Sequence, residues 1–424
     1  MRSGRPGRSS GVLAVSLSEK QVDFLQHCDH RWNVKTGATG SGKSWLDYAV
    51  VIPKRLMALK GEGAVVILGN TQGTANRNIL EPMRDIWGDQ LVGTINSSDN
   101  SARLFGRRVY VMGADNRKHV ARIQGMTIEY AYGDEVTTWA EGVFQMLKSR
   151  LRCPHSHFDG TCNPDAPQHW FKAFLDSGAD IYCQASTIFD NPFLPPEFVE
   201  NLCKEYAGTV YYNRFILGQW VAAEGVVYRQ FADDPERFIV KGLPPQRIRR
   251  AVIGVDFGGG TSAHAFCCMG FTDGGALVVL DEYHEQQALT PNQLAAAFVD
   301  FVRRCQARWL VADCWCDSAE QTLINGLRSA AAGAGIGLNI GNALKRPIND
   351  RIRATCILMG SGRFFVASSC AHTIDALKSA LWDSKHVTED VRLDDGTTNI
   401  DSLDAMEYSF EREIPALIDS WRET

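Results

Sequence analysis

The chain has 424 residues, of which 45% are apolar and 22% charged, a composition typical of a globular protein and not of a collagen-like, disulfide-rich or disordered chain. This length exceeds what one hydrophobic core usually holds, so we expect two domains. The net charge of −5 argues against a uniformly basic nucleic-acid-binding protein, but it is uneven, since residues 1–222 carry +2 and residues 223–424 carry −7.

The N-terminal segment MRSGRPGRSSG is basic but lacks the apolar core of a signal peptide, so we expect residues 1–17 to form a disordered basic tail. No apolar run approaches the ~18–20 residues of a membrane span. The twelve cysteines include no CxxC pair with zinc-site spacing. We therefore expect reduced thiols, as in a cytoplasmic protein.

Residues 18–222 show short β-like runs that alternate with helical stretches. Helical patterns cover residues 41–60 and 197–218. Strands are predicted at 64–70, 107–114, 128–135 and 157–164. Alternating strands and helices favour an α/β domain with a mostly parallel sheet.

Residues 223–249 form a charged segment that ends in Pro-Pro, which predicts a linker. A second α/β pattern occupies residues 250–424. Its predicted strands cover residues 251–259, 265–271, 276–284 and 308–315, with a helix at 291–305. Three strands joined by short turns, followed by a helix and a further strand, predict a mixed sheet.

Residues 37–44 read GATGSGKS, which matches the phosphate-binding pattern G-x-x-x-x-G-K-[ST] in full. A strand-like run precedes this P-loop and a helical pattern follows it. The nucleotide-binding residues are therefore predicted to be Gly37, Ala38, Thr39, Gly40, Ser41, Gly42, Lys43 and Ser44. Lys43 suits the β- and γ-phosphates of ATP, and the Ser44 hydroxyl suits Mg²⁺.

An acidic pair closes the predicted strand IEYAYGDE, 91 residues after Lys43. Asp134 is suited to hold Mg²⁺, and Glu135 is suited to polarise the water that attacks the γ-phosphate. Gln21 lies just before the first strand, where its amide matches the donor and acceptor groups of adenine. A solvated helical glutamine is the alternative for Gln21.

Several carboxylates follow strand or helix patterns in the second half. Asp256 ends a strand, Asp313 and Asp317 lie where a strand gives way to a helix, and Asp401 and Asp404 can share one helix face. Carboxylates that converge repel one another unless cations neutralise them, so we expect two Mg²⁺ or Mn²⁺ ions that support phosphodiester hydrolysis. Taken singly, each aspartate is better explained as a solvated strand end or helix cap, and only the ordered set favours metal.

Two further polar residues are ambiguous. Glu282 is either an additional metal ligand or a solvated residue of an edge strand. Lys345, in NALKRPINDRI, either contacts a scissile phosphate or lies on a solvated face.

Together these motifs resemble the large terminase subunit of tailed bacteriophages over roughly residues 18–410. The elements stand in family order: Gln21, GATGSGKS, GDEVT, TCNP (161–164), DNPFLP (190–195), YYNRFILGQWVAAEGVVY (211–228), VDFGG, DSAEQ, LKRPINDRI and DSLDAMEY. The resemblance implies an N-terminal P-loop ATPase domain of the ASCE type and a C-terminal RNase H-like nuclease domain.

The resemblance also implies individual roles. Thr161 and Asn163 correspond to the coupling motif, which senses the γ-phosphate. The catalytic nuclease acids correspond to Asp256, Asp317 and Asp404, with Asp313 competing with Asp317 because it ends the predicted strand more directly.

Two positions depart from the family pattern. Thr39 stands where many relatives carry an arginine inside the P-loop, so a transition-state arginine must come from elsewhere; Arg122, Arg77 and Arg84 are the candidates. Asp401 stands where relatives often have histidine, which leaves the choice between Mg²⁺ and Mn²⁺ open.

We therefore expect an ATPase that moves double-stranded DNA into a procapsid and a metal-dependent endonuclease that cuts concatemeric DNA. By resemblance, the partners are double-stranded DNA, a portal protein and a small terminase subunit, with a ring of copies when docked, in the cytoplasm of the host cell. The alternatives are a P-loop helicase or repair ATPase fused to a nuclease, and a non-catalytic assembly module with a vestigial P-loop.

Overall fold

A computed structural model describes residues 16–116, 118, 120–242, 247–258, 262–386, 388–395 and 399–418. The chain forms two compact units: residues up to 162 with 178–194, and residues 163–177 with 195 onward. The predicted tail at 1–17 lies almost wholly outside the described residues. Within the described ranges, no helix combines the length and the apolar character that a membrane crossing needs.

A seven-stranded sheet forms the centre of the first unit, in the order β3-β4-β2-β5-β6-β1-β7. All neighbouring pairs are parallel except β3 and β4, so the predicted mostly parallel sheet is confirmed. The strands are β1 (Trp32–Gly37), β2 (Ala64–Gly69), β3 (Ser101–Leu104), β4 (Arg107–Gly113), β5 (Ile128–Gly133), β6 (His157–Cys162) and β7 (Ile181–Ser186).

Helices connect these strands. They are α1 (Glu19–His27), α2 (Lys43–Leu46), α3 (Ile52–Ala58), α4 (Gln72–Ala75), α5 (Glu81–Trp87), α6 (Val120–Gln124) and α7 (Glu141–Arg150). Two π-helical segments, Asp47–Val51 and Asn76–Leu80, join α2 to α3 and α4 to α5. Short 3₁₀ helices occupy Val136–Thr138 and Ile188–Asp190.

The strand order places three sequence motifs side by side. β5, β6 and β1 are consecutive neighbours in the sheet and run parallel. The carboxyl ends of parallel strands meet at one sheet edge, where ligands of open α/β sheets bind. The carboxyl ends of these three strands carry GDE, TCN and the start of the P-loop, so this edge holds the candidate nucleotide site.

The second unit has a mixed sheet in the order β13-β12-β9-β10-β11-β14-β8. β9, β10 and β11 form an antiparallel meander, and the other neighbours are parallel, which confirms the predicted mixed sheet. The strands are β8 (Ile239–Val240), β9 (Ile248–Asp256), β10 (His264–Thr272), β11 (Leu277–Glu285), β12 (Val311–Cys316), β13 (Asn339–Asn342) and β14 (Phe364–Ala367).

The helices of this unit are α8 (Trp170–Leu175), α9 (Pro196–Tyr206), α10 (Arg229–Asp233), α11 (Pro291–Gln306), α12 (Gln321–Gly333), α13 (Ile348–Gly360), α14 (Ala371–Ser379), α15 (Asp401–Phe410) and α16 (Ile414–Leu417). A π-helical segment spans Tyr212–Ile216, and 3₁₀ helices span Pro235–Arg237 and Glu411–Glu413. The expected linker at 223–249 contains α10 and β8, and β8 pairs with β14. The domain boundaries drawn from the sequence stay a prediction.

Helix α15 packs very closely on strand β9. A Cβ atom on Gly254 would lie 1.9 Å from the carbonyl oxygen of Ala405, so only glycine allows this approach. The face of α15 around Leu403 and Met406 is fully buried. This packing brings the end of β9, at Asp256, next to the first turn of α15.

Candidate active sites

The P-loop follows β1 and ends where α2 begins at Lys43. Gly40 and Gly42 have φ values of +71° and +81°, a left-handed conformation that glycine adopts without steric cost. A loop of this kind before a helix N-terminus is a phosphate-binding arrangement, because backbone N–H groups and the helix dipole both favour an anion.

Lys43 is nearly buried beside this loop. Its Nζ donates hydrogen bonds to the carbonyl oxygens of Gly37, at 2.9 Å, and Ala38, at 2.6 Å. Burial lowers the pKa of Lys43, while the nearby carboxylate of Glu135 acts in the opposite direction. A phosphate would be a stronger acceptor for the ammonium than these neutral carbonyls. Ser44, whose hydroxyl is predicted to bind Mg²⁺, is half-buried.

Gln21 lies in α1, next to the loop. Its Oε1 accepts a hydrogen bond from the Ser18 N–H at 2.9 Å, and its Nε2 donates to the Gly42 carbonyl at 3.2 Å. Both the oxygen and the nitrogen of the Gln21 amide therefore already have a hydrogen-bond partner within the protein. The adenine contact of Gln21 stays a prediction, but its position beside the P-loop is compatible with one.

Asp134 and Glu135 directly follow β5. Burial, reinforced by the charge of Glu135, raises the pKa of Asp134 to about 7. Asn78 Nδ2 donates to Asp134 Oδ2 at 3.3 Å. Glu135 has φ +51° and ψ +52°, a left-handed conformation uncommon for residues with a Cβ and typical of strained active-site positions.

Thr161 connects the two acidic residues. It is fully buried near the end of β6, and its Oγ1 donates to Asp134 Oδ1 at 3.3 Å. The same oxygen accepts from the Glu135 N–H at 3.4 Å. Asn163, the other predicted coupling residue, follows the end of β6.

The three arginine candidates differ in what they contact. Arg84 Nε and Nη2 donate to the carbonyls of Val92, at 3.1 Å, and Gly93, at 3.2 Å, so this guanidinium stabilises its own loop. Arg77 and Arg122 are exposed. The identity of the transition-state arginine stays a prediction.

Three of the predicted nuclease acids meet at one end of the second sheet. Asp256 ends β9, and the Asp317 N–H donates to the carbonyl of the adjacent Val255 at 2.9 Å. Burial and the negative charges of Asp404, Asp317 and Asp401, in that order, raise the pKa of Asp256 well above its usual range. Carboxylates that disfavour one another's ionised forms in this way are a suitable donor set for divalent cations.

Lys345 neutralises Asp317. Its Nζ contacts Asp317 Oδ1, and its backbone has φ +51°. The buried carboxylate of Glu411 accepts hydrogen bonds from the N–H groups of Leu344, Lys345 and Arg346, at 2.6, 3.1 and 2.9 Å. Glu411 therefore holds the left-handed turn from which Lys345 reaches the acid.

Two arginines neutralise Asp404. Arg392 Nη2 donates to Asp404 Oδ1 at 2.6 Å, and Arg351 Nη1 lies 3.3 Å from the same oxygen. Both arginines also contact Glu407, a fully buried residue that accepts a further hydrogen bond from the Tyr228 hydroxyl at 2.7 Å. The carboxylate of Asp404 is thus fixed in place by charge-assisted bonds.

The remaining acids lie in different surroundings. Asp401 begins α15, and its Oδ2 accepts from the Ala263 N–H at 2.7 Å. Asp313 lies earlier on β12, opposite Val252, and accepts from Asn339 Nδ2 at 2.9 Å. Of the two competitors, Asp317 shares the sheet end with Asp256 and Asp313 does not.

Glu282 is engaged at the start of a helix. Its carboxylate accepts hydrogen bonds from the N–H groups of His372, at 2.8 Å, and Thr373, at 2.9 Å, and from the Thr373 hydroxyl at 2.7 Å. It therefore caps α14, a role that differs from both of the alternatives predicted from the sequence.

The acidic side chains are oxygen donors of the kind that divalent metals bind, but they are not arranged around one metal position. Among the described residues, no group of three or more His, Cys, Asp or Glu side chains is arranged to hold a metal ion. Asp317 faces Lys345, and Asp404 faces two arginines. A metal bound by Asp317 would replace the contact of this acid with Lys345.

Several side chains that surround these acids were not predicted from the sequence: Asn78, Arg351, Arg392, Glu407 and Glu411. Glu407 had a detectable signal, since it lies three residues after Asp404 on the same helix. Arg392 and Glu411 had none, because no helical spacing links them to their partners, which lie 12 residues or more away in the sequence.

Comparison with known proteins agrees with this architecture. Residues 36–232 match the family described as "Terminase large subunit, T4likevirus-type, N-terminal". Among curated proteins, no sequence matches the chain. The large terminase of a thermophilic bacteriophage superimposes with a TM-score of 0.80 at 23% identity, over 94% of this chain and 99% of that chain.

Two further structures of the same thermophilic-phage terminase carry nucleotides. The complex with ADP has a TM-score of 0.78 at 22% identity, covering 92% of this chain and 98% of that chain. The complex with ATP-gamma-S has a TM-score of 0.77 at 22% identity, covering 93% and 98%. At these identities the likeness concerns the fold.

One chain thus carries a mostly parallel α/β unit with a complete P-loop and a mixed-sheet unit with neighbouring carboxylates, which is the fold of the large-terminase structures. The resemblance predicted from the motifs is confirmed over residues 36–232, which match the N-terminal model of the terminase large-subunit family.

Proposed function

We propose that this chain is the motor and nuclease subunit of a viral DNA-packaging machine. ATP hydrolysis in the first unit drives double-stranded DNA into a procapsid, and the second unit cuts concatemeric DNA. One observation carries the proposal: a complete P-loop shares its sheet edge with Asp134, Glu135 and Thr161, and the same chain gathers Asp256, Asp317 and Asp404 at the end of another sheet.

ATP would bind with its phosphates at the P-loop. Lys43 exchanges the carbonyls of Gly37 and Ala38 for phosphate oxygens, and Glu135 orients the attacking water. Mg²⁺, when bound, neutralises phosphate charge; the Ser44 hydroxyl and Asp134 are the residues that would hold it. The nucleotide complexes of the thermophilic-phage terminase support nucleotide use by this fold.

Thr161 is suited to transmit hydrolysis to the rest of the domain. Its hydroxyl bonds both Asp134 and the backbone of Glu135, so a shift of either residue when the γ-phosphate leaves changes a contact of β6. Asn163 follows that strand directly, and movement of β6 would reach the residues beyond it.

In the nuclease unit, Asp256, Asp317 and Asp404 would hold one or two Mg²⁺ or Mn²⁺ ions, with Asp401 at their side. Such ions activate water and stabilise the charge of the phosphodiester during cleavage. Lys345 is placed to exchange Asp317 for a phosphate oxygen of the DNA. Arg351 and Arg392 keep the carboxylate of Asp404 in one orientation.

The partners follow from this function. We propose double-stranded DNA as substrate, a portal protein as docking site and a small terminase subunit for site selection. A ring of copies would form when docked, in the cytoplasm of the host cell. A transition-state arginine, Arg77 or Arg122, would come from the same chain or a neighbouring copy.

Two assays on purified protein test the proposal. Plasmid cleavage with Mg²⁺ or Mn²⁺ is compared between wild type and Asp256→Ala, and phosphate release from ATP is compared among wild type, Lys43→Ala and Glu135→Gln. We expect Asp256→Ala to lose cleavage and keep ATPase, and the two ATPase variants to do the reverse. A wild-type protein without metal-dependent cleavage would overturn the nuclease half.

A further inference from the structure

The motif DNPFLP, at residues 190–195, has no role in the function proposed above. It follows β7, the edge strand that pairs with β1 in parallel, so that Gly37 lies opposite Ser186. The Ala38 N–H donates to the Ser186 carbonyl at 2.8 Å. The chain that leaves β7 therefore passes beside the P-loop.

Asn191 makes the contact between this turn and the loop. Its Nδ2 donates to the Gly40 carbonyl at 2.7 Å, and its Oδ1 accepts from the Phe193 N–H at 3.1 Å. The bond to Gly40 connects the turn to the P-loop, and the bond from Phe193 fixes the orientation of the Asn191 amide. Asp190 stabilises the same turn, because its Oδ2 accepts hydrogen bonds from the Thr187 N–H at 2.7 Å and the Thr187 hydroxyl at 3.0 Å.

Anion binding by a loop requires its carbonyl groups to be satisfied away from the anion, since a carbonyl oxygen repels phosphate. In this loop the Gly37 and Ala38 carbonyls accept from Lys43, the Gly40 carbonyl from Asn191 and the Gly42 carbonyl from Gln21. Lys43 must leave its carbonyls to reach a phosphate. Asn191 lies outside the loop and need not move.

We infer that Asn191 is a positioning residue for nucleotide binding: its side-chain amide holds the Gly40 carbonyl and so keeps the P-loop in its phosphate-binding conformation. The inference rests on the proposed ATPase function and deepens it, because it assigns a role to a residue 151 positions beyond Gly40. Its effect is on nucleotide affinity, since its hydrogen bonds go to Gly40 and Phe193, whereas Glu135 is the residue proposed to orient the attacking water.

Two substitutions separate the loop contact from the stability of the turn. Asn191→Ala removes both hydrogen bonds. Asn191→Asp keeps an oxygen for the Phe193 N–H but cannot donate to the Gly40 carbonyl. Asn76→Ala is the matched control, because Asn76 Nδ2 donates a comparable bond of 2.6 Å to Glu81 in the same unit.

The measurement is the Kd of Mg–ADP and of Mg–ATP-γ-S by calorimetry, with steady-state ATPase kinetics and thermal unfolding on the same full-length proteins. We expect Asn191→Ala and Asn191→Asp to raise both Kd values about five- to tenfold, the loss of one hydrogen bond. KM should rise in parallel while kcat for Asn191→Ala stays within about twofold, and Asn76→Ala should match wild type.

Folded Asn191 variants with Kd values within about twofold of wild type would overturn the inference. If Asn191→Ala proves unfolded by circular dichroism, Asn191→Asp decides, since it retains the bond that stabilises the turn. An equal loss of affinity in Asn76→Ala would also overturn it, because the effect would then be general destabilisation. Failure of wild type to bind nucleotide would instead refute the proposed function.

Discussion

Arg392 Nη1 donates a hydrogen bond of 2.8 Å to Glu407 Oε1 in the interior of the second unit, where neither side chain reaches solvent to any useful extent. Arg351 contacts the other oxygen of Glu407 at 2.8 Å. When this buried carboxylate is removed, its two guanidinium partners are left to share Asp404 alone, so one buried positive charge loses its compensation.

Glu407→Ala should therefore destabilise the protein by about 3–5 kcal/mol, measured as the free energy of unfolding of the second unit in urea. Glu200→Ala is the control, because Glu200 and Lys204 form an exposed pair 3.8 Å apart, worth at most about 1 kcal/mol. Equal losses in the two variants would show that the buried network adds nothing beyond a surface ion pair.

The choice between Asp317 and Asp313 can be made by cleavage assays. Asp317→Asn should abolish metal-dependent cutting, because Asp317 lies beside Asp256. Asp313→Asn should cut within about threefold of wild type, because Asp313 bonds Asn339 further down the strand. Isothermal titration with Mn²⁺ should show the same division in metal affinity. Loss of metal binding in Asp313→Asn alone would reverse the assignment.

Asp47 makes stability depend on pH. It is fully buried, 2.7 Å from Lys35 Nζ, and burial outweighs Lys35 to raise its pKa from 3.8 to about 6. The folded state therefore holds the proton more tightly than the unfolded state. The resulting stability is complete below pH 3.8 and is lost as pH rises through about 6, an effect of at most about 3 kcal/mol.

Asp47→Asn removes this titration. Urea unfolding of both proteins at pH 4, 5, 6 and 7 should show the stability of wild type falling relative to the variant as pH rises. A difference that is constant over this range, or that grows in favour of wild type with rising pH, would contradict the raised pKa of Asp47.

Thr161→Val tests the bridge between the two acidic residues of the ATPase site. Valine keeps the shape of the buried side chain but removes the hydroxyl that contacts Asp134 and the Glu135 backbone. We expect kcat for ATP hydrolysis to fall at least about tenfold, since the water-orienting residue loses a support, with the Kd of Mg–ADP within about twofold of wild type. Unchanged kcat would show that Thr161 is a packing residue.

Local motifs made much of the architecture predictable. The P-loop, the GDE turn and the strand before each are contiguous in sequence, and the parallel sheet brings their ends together. The choice between Asp313 and Asp317 was harder, because the apolar run 308–315 suggested a strand that ends before the observed one. In the structure β12 spans Val311–Cys316, so Asp313 lies inside the strand and Asp317 is the residue that directly follows it.

The sequence did not predict which side chains pair with the predicted nuclease acids and with Lys345. Arg351 is 53 residues from Asp404, and Glu411 is 66 residues from Lys345. Such pairs form only once α13, α15 and β9 have packed, and no periodicity in the chain records them. The predicted helix at 197–218 was likewise too long, because α9 ends at Tyr206 and a separate π-helical segment begins at Tyr212.

The close approach of α15 to β9 has a consequence for recognising other chains of this kind. Position 254 admits no side chain. The sequence feature that records this packing is therefore a glycine followed two residues later by an aspartate, together with a later helix whose first turn carries two acids. A search for distant relatives that weights this Gly-x-Asp spacing would select for the geometry of the proposed nuclease site itself, where the P-loop motif selects only for the proposed nucleotide site.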